Sequence, residues 1–115
     1  MPKMGSKVFD EGEVKVVALS GSITLGSGDV TMRNLIKDLV EQGHQKIIVD
    51  LGEVSFMDST GLGELVSAYT SARGKNATLK LANLTKKIDD LMEITQLSSV
   101  FDSFESLEEA VQSFR

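Results

Sequence analysis

The sequence predicts a single α/β domain built on a small mixed sheet of about five strands with about four helices. Three observations carry that prediction. Apolar residues change period along the chain: Val14 to Ser20, Lys46 to Asp50 and Thr78 to Ala82 are short β-rich runs, whereas Met32, Leu35, Ile36, Leu39 and Val40 recur at helical spacing. Strand and helix then alternate, so the connections are expected to be right-handed crossovers between parallel neighbours. A length of 115 residues with 41% hydrophobic and 25% charged content suits one domain with one core.

The chain opens on two strands, Lys7 to Asp10 and Val14 to Ser20, joined by Glu11-Gly12-Glu13, whose Gly and polar content suits a tight hairpin. Gly21 to Asp29, with three glycines, reads as a loop. The helix after it is expected to end at Gly43. Ile47-Ile48-Val49 is a continuous β-branched run, the mark of a strand buried on both faces. A second helical stripe, Leu62, Leu65, Val66 and Tyr69, is expected to stop near Gly74 as the C′ glycine. Thr78 to Ala82 places Leu79 and Leu81 on one face of a fourth strand. Thr85 caps a short helix with Ile88, Leu91 and Met92 inward, and Leu97 to Phe104 returns as a loop and a short edge strand. Ser106-Leu107-Glu108-Glu109 is a capping box for a last helix carrying Ala110, Val111 and Phe114 inward. With so few elements, the helices are expected to cover mainly one face of the sheet.

Between the central strand and its helix lies Val54-Ser55-Phe56-Met57-Asp58-Ser59-Thr60-Gly61-Leu62-Gly63. Asp58 is a natural N-cap, because its carboxylate can accept from the unpaired N–H groups of a first turn. Ser59 then sits in that turn with its hydroxyl near solvent. Gly61 and Gly63 each cost a helix about 1 kcal/mol relative to Ala. Such breaks of local preference are expected where another surface must come close. In α/β sheets, partners and ligands meet the loops at the carboxyl ends of the strands, which is where Ser59 falls.

Several chemistries are disfavoured. A net charge of −5 lacks the basic field of a nucleic-acid binder. Without cysteine there are no disulfides, thiolate metal sites or cysteine nucleophiles. No apolar run approaches a membrane span and the first residues lack a signal-peptide core, so a soluble cytoplasmic protein is expected. The single histidine, His44, lies before the Lys46 to Asp50 strand and Ser59 after it. About 15 Å of strand, at about 3.3 Å per residue, would separate them, which argues against a Ser-His hydrolase pair. Asp89-Asp90 and Glu108-Glu109 point apart on their helices and make poor metal sites. Gly26-Ser27-Gly28-Asp29-Val30-Thr31, with Asp50 further on, partly fits a dinucleotide fingerprint. But Thr31 replaces its third glycine, and the chain is short for two halves of a dinucleotide fold. No cofactor or metal is expected.

Phe56-Met57-Asp58-Ser59-Thr60-Gly61-Leu62-Gly63 resembles the signature of the STAS domain, found in anti-sigma-factor antagonists and sulfate transporters. The resemblance also takes in Val49-Asp50-Leu51, Leu79 to Asn83, Thr95-Gln96-Leu97 and Glu108-Glu109-Ala110, and so runs from about Lys7 to Phe114, leaving residues 1–6 as an extension. Asp-Ser-Thr-Gly-Leu-Gly is closest to the bacterial antagonist branch. That likeness implies a binding protein rather than an enzyme, phosphorylated at Ser59 by a partner that is both anti-sigma factor and serine kinase. It further implies release of a sigma factor by the dephosphorylated form and renewal of that form by a PP2C-type phosphatase. Asp58, Thr60, Gly61, Leu62 and Gly63 would form the surface presented to the kinase. Thr24 stands where the family usually has an acidic residue, and Gln96 where glycine is common. Scaffold subunits of signalling complexes and partners of transport machinery share the domain, so a scaffold or nucleotide-binding role is the alternative.

Overall fold

The computed structural model describes residues 3–115. Strands β1 (Gly5–Glu11), β2 (Val14–Ile23), β3 (Lys46–Met57), β4 (Thr78–Ala82) and β5 (Ser103–Phe104) form one sheet in the order β1-β2-β3-β4-β5. Helices α1 (Asp29–Glu41), α2 (Ser59–Gly74), α3 (Lys86–Ile94) and α4 (Leu107–Gln112) alternate with the later strands. The β1–β2 pair is antiparallel and every other pair is parallel. The mixed sheet, with its five strands and four helices, matches the expected architecture. No helix among the described residues is long and apolar enough to cross a membrane.

Both faces of the central strand are buried because both are covered. Ile47, Val49 and Leu51 join Val17, Leu19, Leu79 and Leu81 under α1, α2 and α3. Ile48 points the other way with Val14, Val16 and Ala82, onto Ala110 and Val111 of α4. Three of the four helices lie on one face, as expected, and the short α4 covers the second; at its start the Ser106 hydroxyl accepts from Glu109 N–H at 3.1 Å, the N-cap half of a capping box.

Several strand and helix ends depart from expectation. β2 runs on to Ile23, three residues past Ser20 and into the stretch read as a loop, with Gly21, Ser22 and Ile23 paired to β3. β1 begins at Gly5, two residues earlier than predicted, and Met4 packs on the larger core. β3 continues past Asp50 to Met57, because Val54 and Met57 return to the core after the exposed Gly52 and Glu53. The interruption that hides this extension in the sequence is a register shift against β2 between Ala18 and Ser20. Gly74 is the last helical residue of α2, not its C′ glycine; that place falls to Asn76, at φ 63°. Asn76 N–H meets Arg73 carbonyl at 3.1 Å and Ala77 N–H meets Ala72 carbonyl at 2.8 Å, a Schellman ending. Gly43 closes α1 in the same way, at φ 94°.

Because β3 is longer than predicted, His44 lies farther from Ser59 than the strand estimate allowed. The Ser-His pairing is excluded by more strand, not less.

Candidate functional site

β3 ends at Met57 and α2 starts at Ser59, with Asp58 between them in an extended conformation. Its carboxylate reaches in two directions. Oδ1 accepts from Gly61 N–H at 2.8 Å, the cap foreseen from the sequence. Oδ2 accepts from Leu25 N–H at 3.1 Å, in the loop between β2 and α1. The Asp58 N–H donates to the Ile23 carbonyl at 3.3 Å, and Leu62 N–H closes the first helical turn on the Asp58 carbonyl at 3.0 Å. One aspartate thus ties the end of β2, the end of β3 and the start of α2 together.

Partial burial works to raise the Asp58 pKa, but backbone N–H groups of Gly61, Leu25 and Thr60 and its own hold it below the ordinary 3.8. A depressed carboxylate pKa means that this part of the stability is present above the unfolded value and is lost as pH falls through the lower folded one. Asp58→Ala should therefore cost about 1 kcal/mol at neutral pH, the usual value of an N-cap, and the gap from the unmodified protein should close below pH 3.8. Asp58→Asn, which still caps, should keep most of the stability while flattening that pH dependence. Urea unfolding from pH 7 to 2 measures both.

The other site residues predicted from the sequence separate into exposed and buried sets. Ser59 and Gly63 are exposed and Thr60 is half-buried. Gly61 is buried and Leu62 is part of the core. The two glycines therefore serve different ends. Gly61 packs directly against the backbone carbonyl of Ile23, where a side chain has no room, so the close surface is the chain's own β2. A side-chain carbon added at Gly63 would meet nothing within 4 Å outside the helix's own backbone, and the helix is open there. Gly63→Ala should raise stability by up to about 1 kcal/mol through helix propensity alone. If a partner uses that open space, the same variant should bind it more weakly, which titration of the purified variant reads separately from its unfolding curve.

One turn further on, Glu64 takes Arg33 of α1 at 2.7 Å and holds the two helices in register beside the site. Neither this pair nor the Leu25 amide is visible in the sequence. A backbone N–H carries no residue-type signal, and its partner lies 33 positions away.

The glycine-rich loop does not suit a phosphate. Thr24 and Ser27 exchange two backbone hydrogen bonds of 2.8 Å and close a tight turn. Gly28, at φ 90°, has Met4 and the Ser22 carbonyl where a side chain would stand. At the start of α1 the buried Asp29 already sets a carboxylate where a phosphate would seek the helix N-terminus. Asp50 is committed as well, accepting from Gly52 N–H at 2.9 Å and from Asn83 Nδ2 at 3.2 Å. This joins β3 to the loop after β4.

Comparison with known proteins agrees with this arrangement. The STAS domain family model matches residues 8–110. The anti-sigma-B factor antagonist of Bacillus subtilis is 34% identical over 103 residues, 90% of this chain and 92% of that protein. An anti-sigma factor antagonist from Mycobacterium paratuberculosis superposes with a TM-score of 0.87 at 23% identity, covering 96% of this chain and 93% of its own. SpoIIAA, a Bacillus cell fate determinant solved in its phosphorylated form, superposes with a TM-score of 0.75 at 21% identity, over 96% of this chain and all of its own. With its family model spanning nearly the whole sheet, and with Asp58 and Ser59 at the joint between central strand and helix, the chain belongs to the STAS domain family.

Proposed function

We propose that this protein is a phospho-switched anti-sigma factor antagonist working in the bacterial cytoplasm. Its dephosphorylated form binds an anti-sigma factor that is also a serine kinase and so releases a sigma factor. Phosphorylation of Ser59 by that kinase ends the binding, and a PP2C-type phosphatase restores it. The protein is the substrate and ligand in this cycle, not the enzyme.

The observation that carries this reading is the exposed Ser59 at the first turn of α2, behind an aspartate cap tied to two other segments. A kinase needs a reachable hydroxyl on a backbone of fixed direction, and the capped turn supplies both. A phosphate adds about −1.5 to −2 charges at neutral pH. At a helix N-terminus such charge is favoured by typically 0.3–1 kcal/mol, while the neighbouring Asp58 carboxylate opposes it. The fold can therefore carry the modification without rearrangement, and the comparison protein SpoIIAA has been solved with phosphate attached.

Thr60 and Gly63 flank the hydroxyl on the surface, while Gly61 and Leu62 act from beneath by fixing the path of the turn. Incubation with the organism's anti-sigma factor kinase and ATP tests the assignment. The expected product carries one phosphate, on Ser59, and Ser59→Ala gains none; phosphate on another residue, or none on the unmodified protein, would refute it.

A further inference from the structure

Among the described residues five large apolar side chains are exposed: Val8, Leu25, Val30, and then Phe56 and Ile94, the last two at 37% and 81%. These two meet in one place. With Met57, Leu91 and Lys87 they line a groove of about 320 Å³ between the end of β3 and α3. The groove between α1 and α2 differs, because its apolar floor, Val40 and Ala68, is already buried.

Ile94 is presented firmly. α3 is capped at its start by Thr85, which accepts from Ile88 N–H. At its other end the Thr95 hydroxyl donates to the Leu91 carbonyl at 2.7 Å, and Leu97 N–H donates to the Met92 carbonyl at 2.8 Å. The helix anchors through Ile88 and Met92, so Ile94 is not needed to hold it on the sheet. A large apolar side chain left in water on a rigid helix offers burial to a partner at little further ordering cost.

The groove lies beside the Ser59 site: the exposed Phe56, which lines it, stands three residues before Ser59. Its charged rim is uneven: Lys86 reaches Asp90 at 3.3 Å, whereas Lys87 has no partner among the described residues. We infer that the surface bound by the anti-sigma factor extends from Ser59 across Phe56 onto α3. There the partner inserts an apolar side chain against Ile94 and places a carboxylate near Lys87. The inference rests on the function proposed above and adds the partner's chemistry to it.

The test is calorimetric titration of the unphosphorylated full chain with the purified anti-sigma factor of its own organism. Ile94→Ala should bind at least tenfold more weakly and Lys87→Glu should lose affinity in the same direction. Ile94→Ala should keep the thermal midpoint of the unmodified protein, since its side chain is mostly in solvent. If Ile94→Ala binds within twofold of the unmodified protein while Ser59→Asp binds poorly, the α3 groove is removed from the interface and the switch stands. No binding by the unmodified protein would overturn both.

Discussion

Phosphorylation of Ser59 is expected to weaken binding to the anti-sigma factor by about two to three orders of magnitude, with Ser59→Asp moving in the same direction and Ser59→Ala binding persistently. The size follows from where the charge sits. Free in water, phosphoserine at the start of α2 is solvated and slightly favoured by the helix end. In a close complex it would be desolvated with Asp58 beside it, and Asp58 already spends its oxygens on Gly61 and Leu25. An unpaired buried charge typically costs about 3–5 kcal/mol, and each 1.4 kcal/mol is tenfold in affinity. The effect thus needs no change of fold. Circular dichroism and thermal unfolding should be nearly the same for the two forms while their affinities differ. Equal affinities of Ser59→Ala and Ser59→Asp by calorimetry would end this account.

The second large effect is on stability and lies two residues away, in the same helical turn. Gly61→Ala should destabilise the protein by about 3 kcal/mol, at the upper end of what overpacking usually costs. The obstacle is the Ile23 carbonyl, a backbone group that cannot rotate aside as a side chain could. That carbonyl also accepts the Asp58 N–H, so displacing it loosens the joint between β2 and α2 as well as the helix start. Urea unfolding should show a clearly lower midpoint for Gly61→Ala and a raised one for Gly63→Ala. The opposite signs follow from the different surroundings of two glycines only two residues apart.

That contrast also shows where sequence reading succeeds. Helical stripes such as Met32, Leu35, Ile36, Leu39 and Val40, and the caps Asp58, Thr85 and Ser106, are local patterns, and each appears where expected. The far half of β3 is hidden because Gly52 and Glu53 break the alternation at a shift of register, a matter of pairing with β2. Asn76 takes the left-handed turn that Gly74 was expected to provide, since either residue type can occupy it and the choice depends on where the last helical bond forms. At the site, Asp58 and Ser59 were legible from cap chemistry. The role of Gly61 was legible only in part: the sequence shows that some surface must come close, but not that it is the chain's own Ile23. Leu25 and Ile94 gave no usable signal, because an exposed apolar residue looks like a core residue until its surroundings are known.

The central claim is that Ser59 is a regulated phosphate acceptor. Phosphopeptide mass spectrometry on the protein isolated from its own cells, during growth and under stress, measures occupancy at that residue. The account predicts substantial occupancy in one condition and a marked change in the other. Ser59 unmodified in every state would contradict it and leave Asp58-Ser59-Thr60 as a helix cap alone.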